Sequence, residues 1–225
     1  MAAGELNPWW RFGLPVVTPL VHLVFRVRVT GVEHVPARGA AIVAFNHVSA
    51  LDGPVLAIEM SRRTRRETRF LVAAEFFGKL LFGWVLRTFD QIAIRRGQND
   101  AHAFDAALDT LRAGALLAIA PEGSVNPQPR GELQRIRSGF ARLALPTGTP
   151  IVPVGIWGTQ DRWPKPGIHW GRPWRPRLAI AFGPPILPEG DATADADVGD
   201  LRDRLRQRLE QQVATARRIV GDTGP

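Results

Sequence analysis

The stretch AAIVAFNHVSALDGPVLAIEM (residues 40–60) joins two kinds of hydrophobic pattern across one polar loop. AAIVAF is a short β-rich run with no polar position, so as a strand it is buried on both faces. It stops at Asn46, and DGPVLAIEM then opens a helix, with Asp52 near its start and Pro54 in its first turn. The loop between them therefore sits at a strand's carboxyl end, where open α/β sheets place their ligands. That loop carries His47 and Asp52, five positions apart.

The same alternation extends in both directions. FRVRVTG, RFLVAA (69–74), DQIAI (90–94), ALLAIA (115–120), TPIVPVGI and RPRLAIAFG read as strands. EFFGKLLFGWVLRTF, NDAHAFDAALDTLRAG and SGFARLALPTG read as helices between them. From about Asp197 to Val220, Leu201, Leu205, Leu209 and Val213 form one stripe among arginines, an amphipathic helix for docking on the core. Strands alternating with helices over this length give one α/β domain. DATADADVGD is a polar linker into the last helix rather than a domain boundary.

The chain has 225 residues, a formal charge of +8, seven Trp, no Tyr and no Cys. Without cysteine, disulfides, thiolate metal sites and a cysteine nucleophile are excluded. The positive charge favours anionic partners: phosphorylated substrates, lipid headgroups or nucleic acid. No helix-turn-helix, RNP-like or zinc-finger pattern accompanies it, which argues against nucleic acid. The apolar run from Phe12 to Phe25 is 14 residues, short of the roughly 18–20 that cross a bilayer, and Pro15 and Pro19 are expected to kink it. No small-residue cleavage site follows, so a secretory signal fits poorly. Residues 1–27 read either as an in-plane membrane anchor rimmed by Trp9 and Trp10 or as a helix packed on the domain. The stretch 157–177 has four Trp and five bases against one acid, suited either to anionic headgroups or to covering a sheet edge.

Three polar clusters follow strands: Asn46–Asp52, Arg95–Arg96 and Glu122–Ser124. A carboxylate on one imidazole nitrogen fixes the tautomer and leaves the other nitrogen to take a proton. The spacing of His47 and Asp52 allows that pairing, and equally suits a chance pair or a core histidine. No Gly-x-Ser-x-Gly nucleophile elbow is present, so a His–Asp pair would act on a substrate hydroxyl. The five histidines form no His-x3-His pair, and neither a calcium loop nor a P-loop occurs. Arg95 and Arg96 could hold a phosphate or be a solvated strand end. APEGS, with Glu122 and Gly123, makes a tight turn at a strand end.

In this order the clusters resemble the glycerolipid acyltransferase family, whose best-known members are 1-acyl-glycerol-3-phosphate acyltransferases. NHVSALD matches Asn-His-x-Ser-x-x-Asp at Asn46, His47, Ser49 and Asp52. IAIRR resembles an apolar strand ending in arginine, PEGS (121–124) resembles Pro-Glu-Gly-Thr/Ser, and PIVPV (150–154) a proline-flanked strand. RSGFARLAL is similar to the family's Lys/Arg-x-Gly stretch. The resemblance spans about residues 28–185. Ala93 and Arg95 stand where the second motif often has Phe and Asp, and Val125 where the third often has arginine.

The resemblance implies a mixed, mostly parallel sheet flanked by helices, with a membrane-associating segment at 1–27 and the catalytic domain at 28–225. It implies His47 as the base on the acceptor hydroxyl and Asp52 as its orienting carboxylate. Asn46, Ser49, Arg95, Arg96, Glu122, Gly123 and Ser124 would form the substrate site. Acyl-CoA or acyl-carrier protein would be co-substrate to a lysophospholipid acceptor, with no metal or resident cofactor. The expected place is the cytoplasmic face of the membrane, held peripherally on anionic lipid. The alternatives are another lipid acceptor, or a silent basic protein that binds membrane surfaces.

Overall fold

A computed structural model describes residues 6–95, 100–127, 129, 131–165, 167–169, 171 and 173–222. Helix α1 (Pro8–Val24) leads into β1 (Arg26–Thr30), β2 (Ala41–Phe45), α2 (Asp52–Thr64) and β3 (Thr68–Ala73). Then come α3 (Leu80–Thr88), β4 (Ile92–Ile94), α4 (Ala101–Arg112), β5 (Leu116–Ile119) and α5 (Gly139–Thr147). Strands β6 (Ile151–Trp157) and β7 (Arg177–Phe182) and helix α6 (Asp195–Val220) complete the chain.

The seven strands form one sheet in the order β1-β7-β6-β2-β5-β3-β4. β6, β2, β5, β3 and β4 are mutually parallel, β7 runs antiparallel to β6, and β1 is parallel to β7. The carboxyl ends of β2, β4, β5 and β6 therefore share one edge, together with the starts of β1 and β7. This is the mixed, mostly parallel sheet expected above.

Two-residue periodicity sorts the side chains of β2. Val43 and Phe45 face Val55, Leu56 and Met60 of α2 and Trp10 and Leu14 of α1, whereas Ile42 and Ala44 face α4, α5 and α6. All five residues of β2 are buried, as a strand covered by helices on both sides requires. The leucine stripe of α6 is sealed against the sheet, with Leu201, Leu205 and Leu209 at 0 % exposure. That contact depends on Gly155: a Cβ there would lie 2.2 Å from the carbonyl oxygen of Gln212.

Helix α1 continues through Pro15 and Pro19. Each proline removes one intrahelical hydrogen bond, but packing and polar ties hold the helix along α2. Trp10 stacks edge-on with Phe89 at 4.7 Å. Asn7 caps the Trp10 N–H at 3.0 Å and donates to Glu67 at 3.3 Å. His22 meets the buried Glu59 of α2 at 2.7 Å, and Arg62 and Arg63 reach the same carboxylate. The opposite side of α1 is bare: Trp9, Phe12, Val16, Leu20 and Leu23 are all exposed. No helix among the described residues is long and apolar enough to cross a membrane.

The single helix expected over 75–89 divides into a 3-10 turn at Ala74–Phe76 and the shorter α3. Gly78 lies at the break, and Lys79, with extended backbone, precedes α3. α3 leaves Leu80 at 95 % exposure and Leu81 and Trp84 also exposed.

Candidate active site

β2 ends at Phe45, but the next side chain prolongs its pairing. The Asn46 amide donates to the Ile156 carbonyl at 3.0 Å, and its oxygen accepts from the Ile156 N–H at 2.7 Å. Both ends of the amide are thereby engaged with β6. His47 leaves the sheet from this fixed point.

The loop then folds back onto Asp52, the first residue of α2. One carboxylate oxygen accepts from His47 Nδ1 at 2.9 Å, from the Val48 N–H at 2.7 Å and from the Ser49 N–H at 2.8 Å. The other oxygen accepts from the hydroxyl of Thr159, just after β6. Asp52 is wholly buried, and burying a carboxylate is tolerable only when donors surround it in this way. With Nδ1–H directed at Asp52, the Nε2 lone pair of His47 faces away from the carboxylate. Nε2 has no partner among the described residues, and the side chain keeps 15 % exposure.

A second loop, after β5, braces the first. Glu122 accepts from the His47 N–H at 2.7 Å and from the Gln134 N–H at 2.8 Å, while Asn126 donates its N–H to the His47 carbonyl at 2.7 Å. Burial pushes the Glu122 carboxyl above the usual range, and the two N–H donors and the His47 charge oppose that rise. Gly123 turns the chain with φ +76°, and a Cβ there would lie 2.8 Å from Arg137 Nε. The exposed Arg137 guanidinium thus lies across the turn, and no acid among the described residues pairs with it.

The structure accordingly brings together His47, Asp52, Glu122 and Gly123, while Ser124, next in the same turn, accepts the Gln134 side-chain N–H on its carbonyl at 2.9 Å. Asn46 and Ser49 differ from the expected substrate contacts. Asn46 is committed to Ile156, and the buried Ser49 hydroxyl donates to the Trp163 carbonyl at 2.7 Å. Their polar atoms have protein partners, so both hold the loop in shape. Arg95 is exposed beyond β4, its N–H bound to Asp100 at 2.8 Å. Arg96 lies outside the described residues. Thr159 and Gln134 were missed by sequence reasoning, because neither has a local spacing to His47 or Asp52. Arg137 carried a signal, since it opens the stretch RSGF. No group of three His, Cys, Asp or Glu side chains arranged for a metal occurs among the described residues.

Comparison with known proteins matches residues 26–157, more than half the chain, to the Acyltransferase family. An uncharacterized protein of Mycobacterium tuberculosis is 31% identical over 89% of this chain and 65% of its own length. The chain therefore spans just under two thirds of that mycobacterial relative. A 1-acyl-sn-glycerol-3-phosphate acyltransferase of Pseudomonas aeruginosa is 27% identical over 81% of the chain and 67% of its own length. The crystal structure of the 1-acyl-sn-glycerophosphate acyltransferase from Thermotoga maritima superposes with a TM-score of 0.71 over 92% of this chain and 78% of that one. At 23% identity, that likeness establishes the fold.

Proposed function

The chain belongs to the acyltransferase family, and from that premise we propose that it moves a fatty acyl group from acyl-CoA or acyl-carrier protein to a lysophospholipid hydroxyl, with 1-acyl-glycerol-3-phosphate as the acceptor. One observation carries the reading: His47 is held through Nδ1 by a buried carboxylate, while Nε2 has no partner among the described residues. In the proposed reaction Nε2 takes the acceptor's hydroxyl proton as its oxygen attacks the thioester carbonyl. The carbon–sulfur bond breaks, and the proton on Nε2 passes to the departing thiolate. The products are an ester and a free thiol, with no covalent enzyme intermediate. Asp52 stabilises the imidazolium that forms between these steps.

The exposed Arg95 and Arg137, beyond β4 and beside the Glu122 turn, supply charge for the acceptor's phosphate. Arg95 stands in a departure from the second motif and adds a cation at the end of β4. The lipid nature of the acceptor is supported by the bare apolar side of α1. That side continues onto α3 through an edge-on contact between Trp9 and Trp84, 6.0 Å apart. Lys79, at the start of α3, and Arg87, within it, are exposed, which suits peripheral docking on an anionic leaflet.

The test is incubation of the full chain with labelled acyl-CoA and a panel of lysophospholipids. Transfer to lysophosphatidic acid is expected, with His47→Ala slower by on the order of 10³-fold and still folded. Absence of transfer to every acceptor, or an undiminished rate in His47→Ala, would overturn the reading.

A further inference from the structure

His47 leaves β2, near the middle of the sheet. On one side of it, over β5 and β4, stand Arg137 and Arg95. On the other, the end of α1, the starts of β1 and β7 and the C-terminus of α6 enclose a cleft of about 1230 Å³. Its lining includes Arg26, Arg175, Arg177, Trp157, Trp174 and Leu23. The cleft and the catalytic loop share a wall. Thr159 in that wall donates to Asp52, and the Trp163 carbonyl accepts from Ser49, while Gln160, Asp161 and Arg162 line the cleft.

The charge of the cleft is unbalanced. Arg26 and Arg175 are exposed, and no acid among the described residues pairs with either. Arg177 gives one N–H to the Val220 carbonyl at the end of α6, leaving the rest of its fork free to donate. Of the two acids in the lining, Asp222 is paired with Arg217 at 3.3 Å. Asp161 is pushed above the usual carboxylate range by burial and by the Asp222 charge. Arg162, largely buried in the lining, has Nη1 and Nη2 on backbone carbonyls, and its Nε has no hydrogen-bond partner among the described residues. Trp174 stands on the rim at 76 % exposure.

We propose that this cleft takes the nucleotide end of the acyl-CoA donor, its phosphates on Arg26, Arg175 and Arg177 and its adenine against Trp174. The inference rests on the acyl-transfer reading above. A transfer between two substrates needs two approaches to one base, and the acceptor's cations already occupy the β5–β4 side. Guanidiniums suit phosphates through paired, charge-assisted hydrogen bonds, and an indole face suits a purine. A lone phosphate would need neither this volume nor the tryptophan. Pantetheine would then follow the Gly158–Arg162 wall, bringing the thioester to His47.

Calorimetric titration of the full chain with CoA and with pantetheine tests the assignment. The wild type is expected to bind CoA at least about ten-fold more tightly than pantetheine. Arg26→Glu/Arg175→Glu should weaken CoA binding on the order of 100-fold and leave pantetheine binding unmoved. Both positions are exposed, so thermal melts should coincide with the wild type. Trp174→Ala, which alters no charge, should weaken CoA binding about ten-fold. Unchanged CoA affinity in the charge-reversed variant, or a wild type that does not distinguish CoA from pantetheine, would overturn the proposal. A wild type that transfers only from acyl-carrier protein and binds no CoA would do the same. Because binding needs no turnover, CoA held in the cleft without transfer to any acceptor would count against the function proposed above alone.

Discussion

Replacing Asp52 with asparagine removes a charge while keeping the shape of the site. The carboxylate oxygen shared by His47, Val48 and Ser49 receives three N–H donors, at 2.9, 2.7 and 2.8 Å. The other oxygen receives one hydroxyl, from Thr159. An asparagine oxygen must take the first position, since an NH2 there would face three donors. Its NH2 then faces Thr159, whose hydroxyl can rotate to accept. The loop and the His47 tautomer therefore survive, and the variant should fold. The attraction between carboxylate and imidazolium is lost. Two unit charges about 4 Å apart attract by roughly 4 kcal/mol at an effective dielectric constant near 20, or nearly 10³-fold in rate if the proton is fully transferred in the transition state. A partly transferred proton lowers this to on the order of 10²-fold. Initial rates of acyl transfer at saturating acceptor provide the assay, with circular dichroism to check folding. A folded Asp52→Asn protein at the wild-type rate would refute the dyad, and a loss well beyond that of His47→Ala would show Asp52 acting other than through the imidazole.

Leu80→Glu/Leu81→Glu should leave the melting temperature nearly unchanged, because both side chains are exposed. At about 1.5–3 kcal/mol per buried leucine, it should cut co-sedimentation with anionic vesicles by ten-fold or more; equal sedimentation would exclude α3 from the docking surface. Glu59 is raised by burial, but Arg63, His22 and Arg62 outweigh this and hold its carboxyl below the ordinary value of 4.5. Its stabilising contribution is therefore present above that value and lost as pH falls through the lowered one. Denaturant midpoints followed into acid should show this loss in the wild type and a flatter profile in Glu59→Gln; identical profiles would refute the clasp. Gly155→Ala would put a methyl 2.2 Å from the Gln212 carbonyl oxygen, forcing α6 off β6 at a cost of about 1–3 kcal/mol or more, read as a fall in melting temperature.

Much of the fold was legible because its signals are local. The unbroken apolar run of β2 announces a strand covered on both faces, and the leucine stripe from Leu201 to Val213 announces a docked helix. Helix α3 resisted the same reading. It reads as one helix over 75–89, yet a break at Gly78 and Lys79 sets α3 off from the turn before it, and an apolar stripe does not state whether its partner is protein or lipid. Helix α1 packs Trp10 and Leu14 on the domain, as one of its two readings expected, and leaves Phe12 and Leu20 bare.

At the site, the order of motifs from Asn46 to Ser124, through its resemblance to a family, pointed to His47, Asp52 and Glu122, because chain order records which loops follow strands. Chain order does not record how each polar group is satisfied. Asn46 and Ser49 looked like substrate contacts, and only the sheet's closure on β6 turned the Asn46 amide toward Ile156. Thr159 reaches Asp52 across 107 positions of sequence because β6 lies beside β2. The residue types and the strand–loop–helix rhythm thus came from the sequence alone. The partners of Asp52, the His47 nitrogen left without a partner among the described residues and the cleft beyond Thr159 were decided by strand order, since hydrogen bonds and cavities depend on distance in space.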